Sequence, residues 1–383
     1  TATNIDKKLR YFYRYGAGLC GVDKISFEDR ENWILSREIL WMNVANNPIE
    51  YLDWANMDEP FQFLAWCFEF KRLRDYMNIN GSAVGFACSI PVCFDGTCSG
   101  LQHFSMLLRD EVGGKAVNLI DSEVPNDIYG IVAKKVNEYL EHDAVYGSLE
   151  ETSAEGKAML GTQIMAQQWL SFGVDRKVTK RPVMTLAYGS STFGFKEQLL
   201  EDTILPALDK GDTTFTNPVQ SALYLAKQIY RAVEVVVVSA VEGMRFLKEV
   251  AKLTISNDEV IGWSTPIGLP IQQAYFKLNY THYQFKVNGK NIKVYDHEET
   301  PYIDRQRQIN GIAPNFIHSL DACHLQMVVL TSVRKYGMKN FALIHDSFGC
   351  DLEYSDVFND IIRQQMMALY NDNPILENFV GEM

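Results

Sequence analysis

The chain has 383 residues, 47% of them hydrophobic, with seven cysteines and a formal net charge of −12. That size and apolar content can bury a large core in two or three subdomains, while the longest apolar run, 233–241, is too short and too polar at its edges to span a bilayer. The acid excess excludes a uniformly basic nucleic-acid binder, and cysteines without a CxxC pair favour free buried thiols in a reducing compartment over zinc or disulfides.

The opening 75 residues pattern as helices, with Gly21-Val22-Asp23-Lys24 among them and cations gathered at Lys71, Arg72 and Arg74. Residues 89–100 then form an apolar, strand-like run that delivers Asp95 at its end, just before a turn of small residues. A helix is predicted over 102–108. Pro125-Asn126-Asp127 opens an amphipathic run to Leu140, and 157–171 is another, ended by Gly173.

Residues 176–189 set Arg176, Lys180 and Met184 at four-residue steps and end in Tyr188-Gly189. On a helix this stripe offers two cations to a polyanion such as a triphosphate, with an aromatic one turn on for a base or sugar. An ordinary solvated helix face has the same spacing. Pro182 should kink this helix or lie near its start.

Residues 220–253 read as one long helix, and 260–295 as the main β region. Within it Asn288-Gly289 is a strong hairpin signal. A two-residue turn there pairs Val287 with Lys290, Phe285 with Ile292 and Tyr283 with Val294 on a mainly apolar face. Lys286 with Asn291, Gln284 with Lys293 and His282 with Tyr295 make the other, mainly polar one. Such a ribbon fits a DNA major groove, although a solvent-facing hairpin would look the same. Helices follow over 315–336 and 356–370, and between them 341–352 reads as strand, tight turn and strand with Asp346 at the turn. The mixture predicts an α+β fold. Asp95 and Asp346, carried by separate strands, are what a two-metal phosphoryl-transfer site needs, since Mg²⁺ prefers carboxylate oxygens.

Asp95-Gly96-Thr97-Cys98-Ser99-Gly100-Leu101-Gln102-His103-Phe104, the 176–189 run and His345-Asp346-Ser347-Phe348-Gly349 occur here in order. With 127–136 and 311–319, they make the chain resemble the single-subunit DNA-directed RNA polymerases of T-odd bacteriophages and their mitochondrial relatives. The resemblance implies a right-hand palm and fingers: palm with the first motif in 1–120, mainly fingers in 121–255, a specificity-type hairpin in 256–310, and palm with the third motif in 311–383. It implies two Mg²⁺ ions on Asp95, the Gly96 carbonyl and Asp346, with Asp95, Lys180 and Asp346 catalytic. Lys24, Arg176, Lys180, Tyr188 and His318 would bind the nucleotide, and Gln284, Lys286, Asn291 and Lys293 would face DNA. The implied partners are a DNA template and promoter, an RNA product and ribonucleoside triphosphates, with no membrane. The implied setting is the cytoplasm of an infected bacterium rather than a mitochondrion. The matched region corresponds to the carboxy-terminal part of that family, so a fragment, or one half of a split polymerase whose amino-terminal half is another polypeptide, is expected.

The related repair-type DNA polymerases share the Arg, Lys and Tyr-Gly spacing but usually carry a Glu where this chain has Gly100 and an aromatic where it has Met184. An open Gly100 leaves room for a ribose, and Tyr188 with His318 can contact its 2′-hydroxyl. The plain alternatives are a core tyrosine and a satisfied buried histidine. Two other functions compete: a metal phosphohydrolase built on His318, His324 and His345-Asp346, whose His-Asp pair should lie on a helix, and a nucleic-acid-binding fragment without catalysis.

Overall fold

A computed structural model describes residues 2–152, 158–255 and 260–383. The chain forms two compact units. The first comprises Thr1–Ser99, Val117–Asp127 and Asp321–Asp372, and the second Gly100–Ala116, Ile128–Leu320 and Asn373–Met383. Helices with small antiparallel sheets give the α+β class expected from the sequence.

The first unit opens with the helices Ala2–Leu19, Phe27–Leu35, Glu38–Asn46 and Pro60–Asn80. Its core is aromatic: Trp66 stacks on Phe12 at 5.2 Å and on Phe70 at 4.9 Å. Gly16 permits this packing, because a Cβ there would lie 2.3 Å from the Trp66 ring. A three-stranded sheet places Ser347–Cys350 between Val92–Asp95 and Phe341–Ile344. Phe348 and Cys350 pack into a second core with Val328, Phe358 and Ile361. All seven cysteines are free thiols, and burial pushes Cys67 up to about 12 and Cys88 up to about 11.

In the second unit the expected helix over 157–171 begins only at Thr162, and Ala158–Leu160 instead pairs as a strand with Glu150–Thr152; Lys157 lies outside the described residues. Gly161 marks the change, since a Cβ there would fall within 2.0 Å of the Ser148 carbonyl. The expected single helix over 220–253 is two, Pro218–Val236 and Val238–Thr254, separated at Val237 with φ −131° and ψ 60°. Val235 to Val238 are consecutive valines, whose branched side chains favour a helix less than most. The helix expected from residue 315 starts at Arg305 and runs through Pro314 to Tyr336. Its start is set by Asp304, whose carboxylate accepts the Arg307 N–H at 3.0 Å. Among the described residues this is the one helix long and apolar enough to cross a membrane, but half of its most apolar window is buried inside the protein.

The hairpin Phe276–Val287 and Lys290–Ile303 has the register derived from its turn: Val287 opposite Lys290, Phe285 opposite Ile292 and Gln284 opposite Lys293. Asn288 and Gly289 take φ 51° and 77°, as a type I′ turn requires. The ladder runs further than expected, to Phe276 opposite Ile303, and the apolar face is exposed along with the polar one.

Candidate active site

The strand Val92–Asp95 ends on Asp95, opposite Ser347. His345 and Asp346 are the two turn residues joining the other two strands, and His345 accepts a left-handed φ of 52° to close that turn. The Gly96 N–H donates to the Asp346 carbonyl at 3.2 Å. Both aspartates therefore leave the same end of one sheet, with Asp95 exposed and Asp346 half-buried.

Burial pushes the Asp346 carboxyl above its ordinary range, and the negative charge of Asp321 adds to the shift. Hydrogen bonds from the Ser99 hydroxyl and backbone N–H pull the other way without reversing it. A carboxylate held at such a cost gains from a cation. No group of three His, Cys, Asp or Glu side chains gathers to hold a metal among the described residues. Two carboxylates leaving the same end of one sheet fit Mg²⁺, which keeps waters and takes substrate oxygens, better than a protein-caged zinc. Asn118 braces the next residue along, donating to the Thr97 hydroxyl at 3.0 Å. Sequence reasoning missed Asn118 and Asp321, whose partners are distant in the chain. Ser99 had a signal, the small-residue turn after Asp95.

The helix Arg176–Leu186 is capped by Asp175, which accepts the Lys177 and Val178 N–H groups at 2.8 and 3.2 Å. Val178, Thr179, Pro182, Val183 and Leu186 are buried, and the Thr179 hydroxyl donates to the Tyr129 carbonyl at 2.9 Å. Pro182 sits inside this helix rather than at its start. The opposite face exposes Lys177, Lys180, Arg181 and Met184. The expected stripe is thus divided: Arg176 is half-buried with its guanidinium 5.2 Å from the Tyr129 ring centroid. Arg181 is held by both oxygens of Asp202, at 2.6 and 2.7 Å. Lys180 makes no ion pair among the described residues.

Tyr188 follows in the turn and stacks on His318, with ring centroids 4.4 Å apart and planes inclined by 26°. His318 is exposed, which removes the buried-histidine alternative. The backbone closes up behind the pair: Gly189 has φ 81°, and a Cβ there would lie 3.3 Å from the Asn310 carbonyl. Lys24 is paired with Asp23 at 2.8 Å. Gln284, Lys286, Asn291 and Lys293 are exposed on the hairpin. The hydrolase alternative finds no support in the geometry, since His345-Asp346 is a hairpin turn and His324 is buried, with Nε2 2.9 Å from the Ile362 carbonyl.

Residues 4–383 match the family model for DNA-dependent RNA polymerase. The chain belongs to the DNA-dependent RNA polymerase family. It is 44% identical to T7 RNA polymerase of Escherichia phage T7 over 404 residues, covering 99% of this chain and 45% of the relative. It is 43% identical to the DNA-directed RNA polymerase of Enterobacteria phage T3, covering 96% and 44%. With a chloroplastic/mitochondrial DNA-directed RNA polymerase of Nicotiana tabacum the identity is 33%, over 94% and 33%. The chain spans less than half the length of these relatives.

Gly100 differs from the open position expected of it. Gly100 is not open: a Cβ there would lie 2.5 Å from the Ala187 Cβ and 3.2 Å from the Tyr188 ring. The missing side chain makes space for the Ala187-Tyr188 turn, not directly for a ligand. Gly100→Ala is expected to destabilise by about 1–2 kcal/mol net, since a Cβ 2.5 Å from the Ala187 Cβ puts the overpacking cost towards the upper part of about 1–3 kcal/mol, against the roughly 1 kcal/mol that alanine gains in a helix. Thermal unfolding checks this, and an unchanged or raised midpoint would show that the turn yields freely.

Proposed function

We propose that this chain carries the nucleotidyl-transfer chemistry of DNA-templated RNA synthesis. The observation that carries the reading is the convergence of Asp95 and Asp346 at one end of a single sheet, in a chain of the DNA-dependent RNA polymerase family. Asp95, the Gly96 carbonyl and Asp346 would hold two Mg²⁺ ions. Bound there, the ions supply Lewis-acid neutralisation of the attacking and leaving oxygens. An RNA 3′-hydroxyl attacks the α-phosphorus of a ribonucleoside triphosphate, the bond to pyrophosphate breaks, and one nucleotide is added. Lys180 and Arg176 hold the triphosphate, with Lys24 as a further contact, and Lys180 gives a proton to the leaving pyrophosphate. Tyr188 and His318 contact the ribose 2′-hydroxyl.

The DNA partners are a template and a promoter, the latter met by Gln284, Lys286, Asn291 and Lys293 on the polar hairpin face. In this reading 1–120 and 311–383 serve as palm, 121–255 mainly as fingers and 256–310 as the specificity hairpin. An amino-terminal polymerase portion, on the same or another polypeptide, completes the machine. The phage relatives support action in the cytoplasm of an infected bacterium over an organelle.

The deciding experiment is Mg²⁺-dependent extension of an RNA primer on a DNA template, with ribo- or deoxyribonucleotides, with and without an added amino-terminal polymerase portion. Ribonucleotide addition supports the proposal. No addition even with that portion present would reduce the chain to a nucleic-acid-binding fragment, and preferred deoxyribonucleotide addition would make it a DNA polymerase.

A further inference from the structure

Four side chains at the root of the hairpin form a polar network that the chemistry above does not use. Gln273 closes the strand Pro270–Gln273, and Gln273 and Gln308 are 3% and 0% exposed. The Gln273 Nε2 donates to the Gln308 carbonyl at 2.8 Å and to its Oε1 at 2.7 Å. The Gln273 Oε1 accepts from the Asn315 Nδ2 at 2.8 Å, and the same Nδ2 donates to the Tyr275 hydroxyl at 3.0 Å. Tyr275 is wedged in place: its ring fills the space over Gly311, where a Cβ would lie 2.6 Å away, and the Arg307 guanidinium is 5.0 Å from its centroid.

The helical segment so gripped is the one that meets the Tyr188 turn. The Asn310 carbonyl and Pro314 abut Gly189, and His318, three residues beyond Asn315, stacks on Tyr188. The network is also not built for stability alone, because the Gln308 Nε2 is buried without an acceptor among the described residues, a cost that a purely apolar filling would avoid.

We infer that Gln273, Tyr275, Gln308 and Asn315 are positioning residues that fix His318 against Tyr188 and thereby tune the choice between ribo- and deoxyribonucleotides. This rests on the proposed role of Tyr188 and His318 as sugar contacts. The four contact one another and the helix that carries His318. They act through the register of one helix, and the link places the root of the hairpin in mechanical contact with the sugar-reading pair.

The test compares Tyr275→Phe, which deletes one hydroxyl and keeps the ring packing, and Asn315→Ala with Ser221→Ala. The last removes a buried hydrogen bond to Gln168 elsewhere in the same unit. In primer extension by the chain with its amino-terminal portion, the ratio of kcat/KM for ribo- over deoxyribonucleotide should fall about fivefold in Tyr275→Phe, as the loss of one neutral hydrogen bond would give, and further in Asn315→Ala, which loses two. It should not move in the third. If Asn315→Ala fails to fold, Tyr275→Phe carries the test alone. An unchanged ratio in Tyr275→Phe, with an active and discriminating wild type, overturns the inference. A wild type that adds no nucleotide defeats the proposed function instead, and hydrogen exchange then decides: faster exchange over 186–190 in Tyr275→Phe supports the positioning link, and unchanged exchange there overturns it.

Discussion

Asp346→Asn should reduce ribonucleotide transfer by about a thousandfold or more while leaving the melting temperature unchanged or raised. The loss follows from the charge: an amide cannot hold a divalent cation as a carboxylate does, and removing several kcal/mol of transition-state neutralisation costs about three decades in rate. The stability follows from the fold. Burial, reinforced by Asp321, raises the Asp346 pKa above the ordinary 3.8, so the native state binds this proton more tightly than the unfolded chain. Stability is therefore greatest below the ordinary value and falls as pH rises towards and through the raised one, leaving the ionised carboxylate a net burden at neutral pH. Asparagine relieves that burden while keeping the side-chain volume, as expected where a site trades stability for function. Added Mg²⁺ should raise the melting temperature of the wild type and do much less for the variant. An Asn variant that keeps its activity, or an equal Mg²⁺ response in both proteins, would remove Asp346 from the metal site.

Much of this site was legible in the sequence because its parts are local. A two-residue turn fixes a hairpin register, so the pairing around Asn288-Gly289 could be derived, and Asp346 could be placed at its turn by the apolar runs on either side. Asp95 announced itself in the same way, as the acid at the end of an apolar run. What failed depended on contacts between distant residues. The even exposure expected along the Arg176–Lys180 stripe did not hold, because Arg176 packs over the Tyr129 ring while Lys180 stays exposed; the proposed hold of both on the triphosphate is unaffected. Gly100 suggested open space, whereas Ala187 and Tyr188 fill it. Local pattern cannot report which surface a neighbouring element will cover, and these misses are all of that kind.

Lys180→Ala should lower kcat by about a hundredfold or more, within the range for loss of a general acid, with little change in melting temperature. Lys180 is exposed and has no ion pair among the described residues, so the fold does not depend on it and its ammonium is available to a ligand. Arg176→Ala provides the contrast. Its guanidinium packs over Tyr129, so alanine there should weaken nucleotide binding and also lower the melting temperature, since packing is lost with the charge. The kinetic split identifies what Lys180 does. If it only grips the triphosphate, KM rises and kcat holds. If it also protonates pyrophosphate, kcat falls, because the step that expels pyrophosphate loses its proton donor. A variant whose kcat matches the wild type while its KM rises would leave Lys180 as an electrostatic contact, and the proton on the leaving pyrophosphate would have to come from water or another side chain.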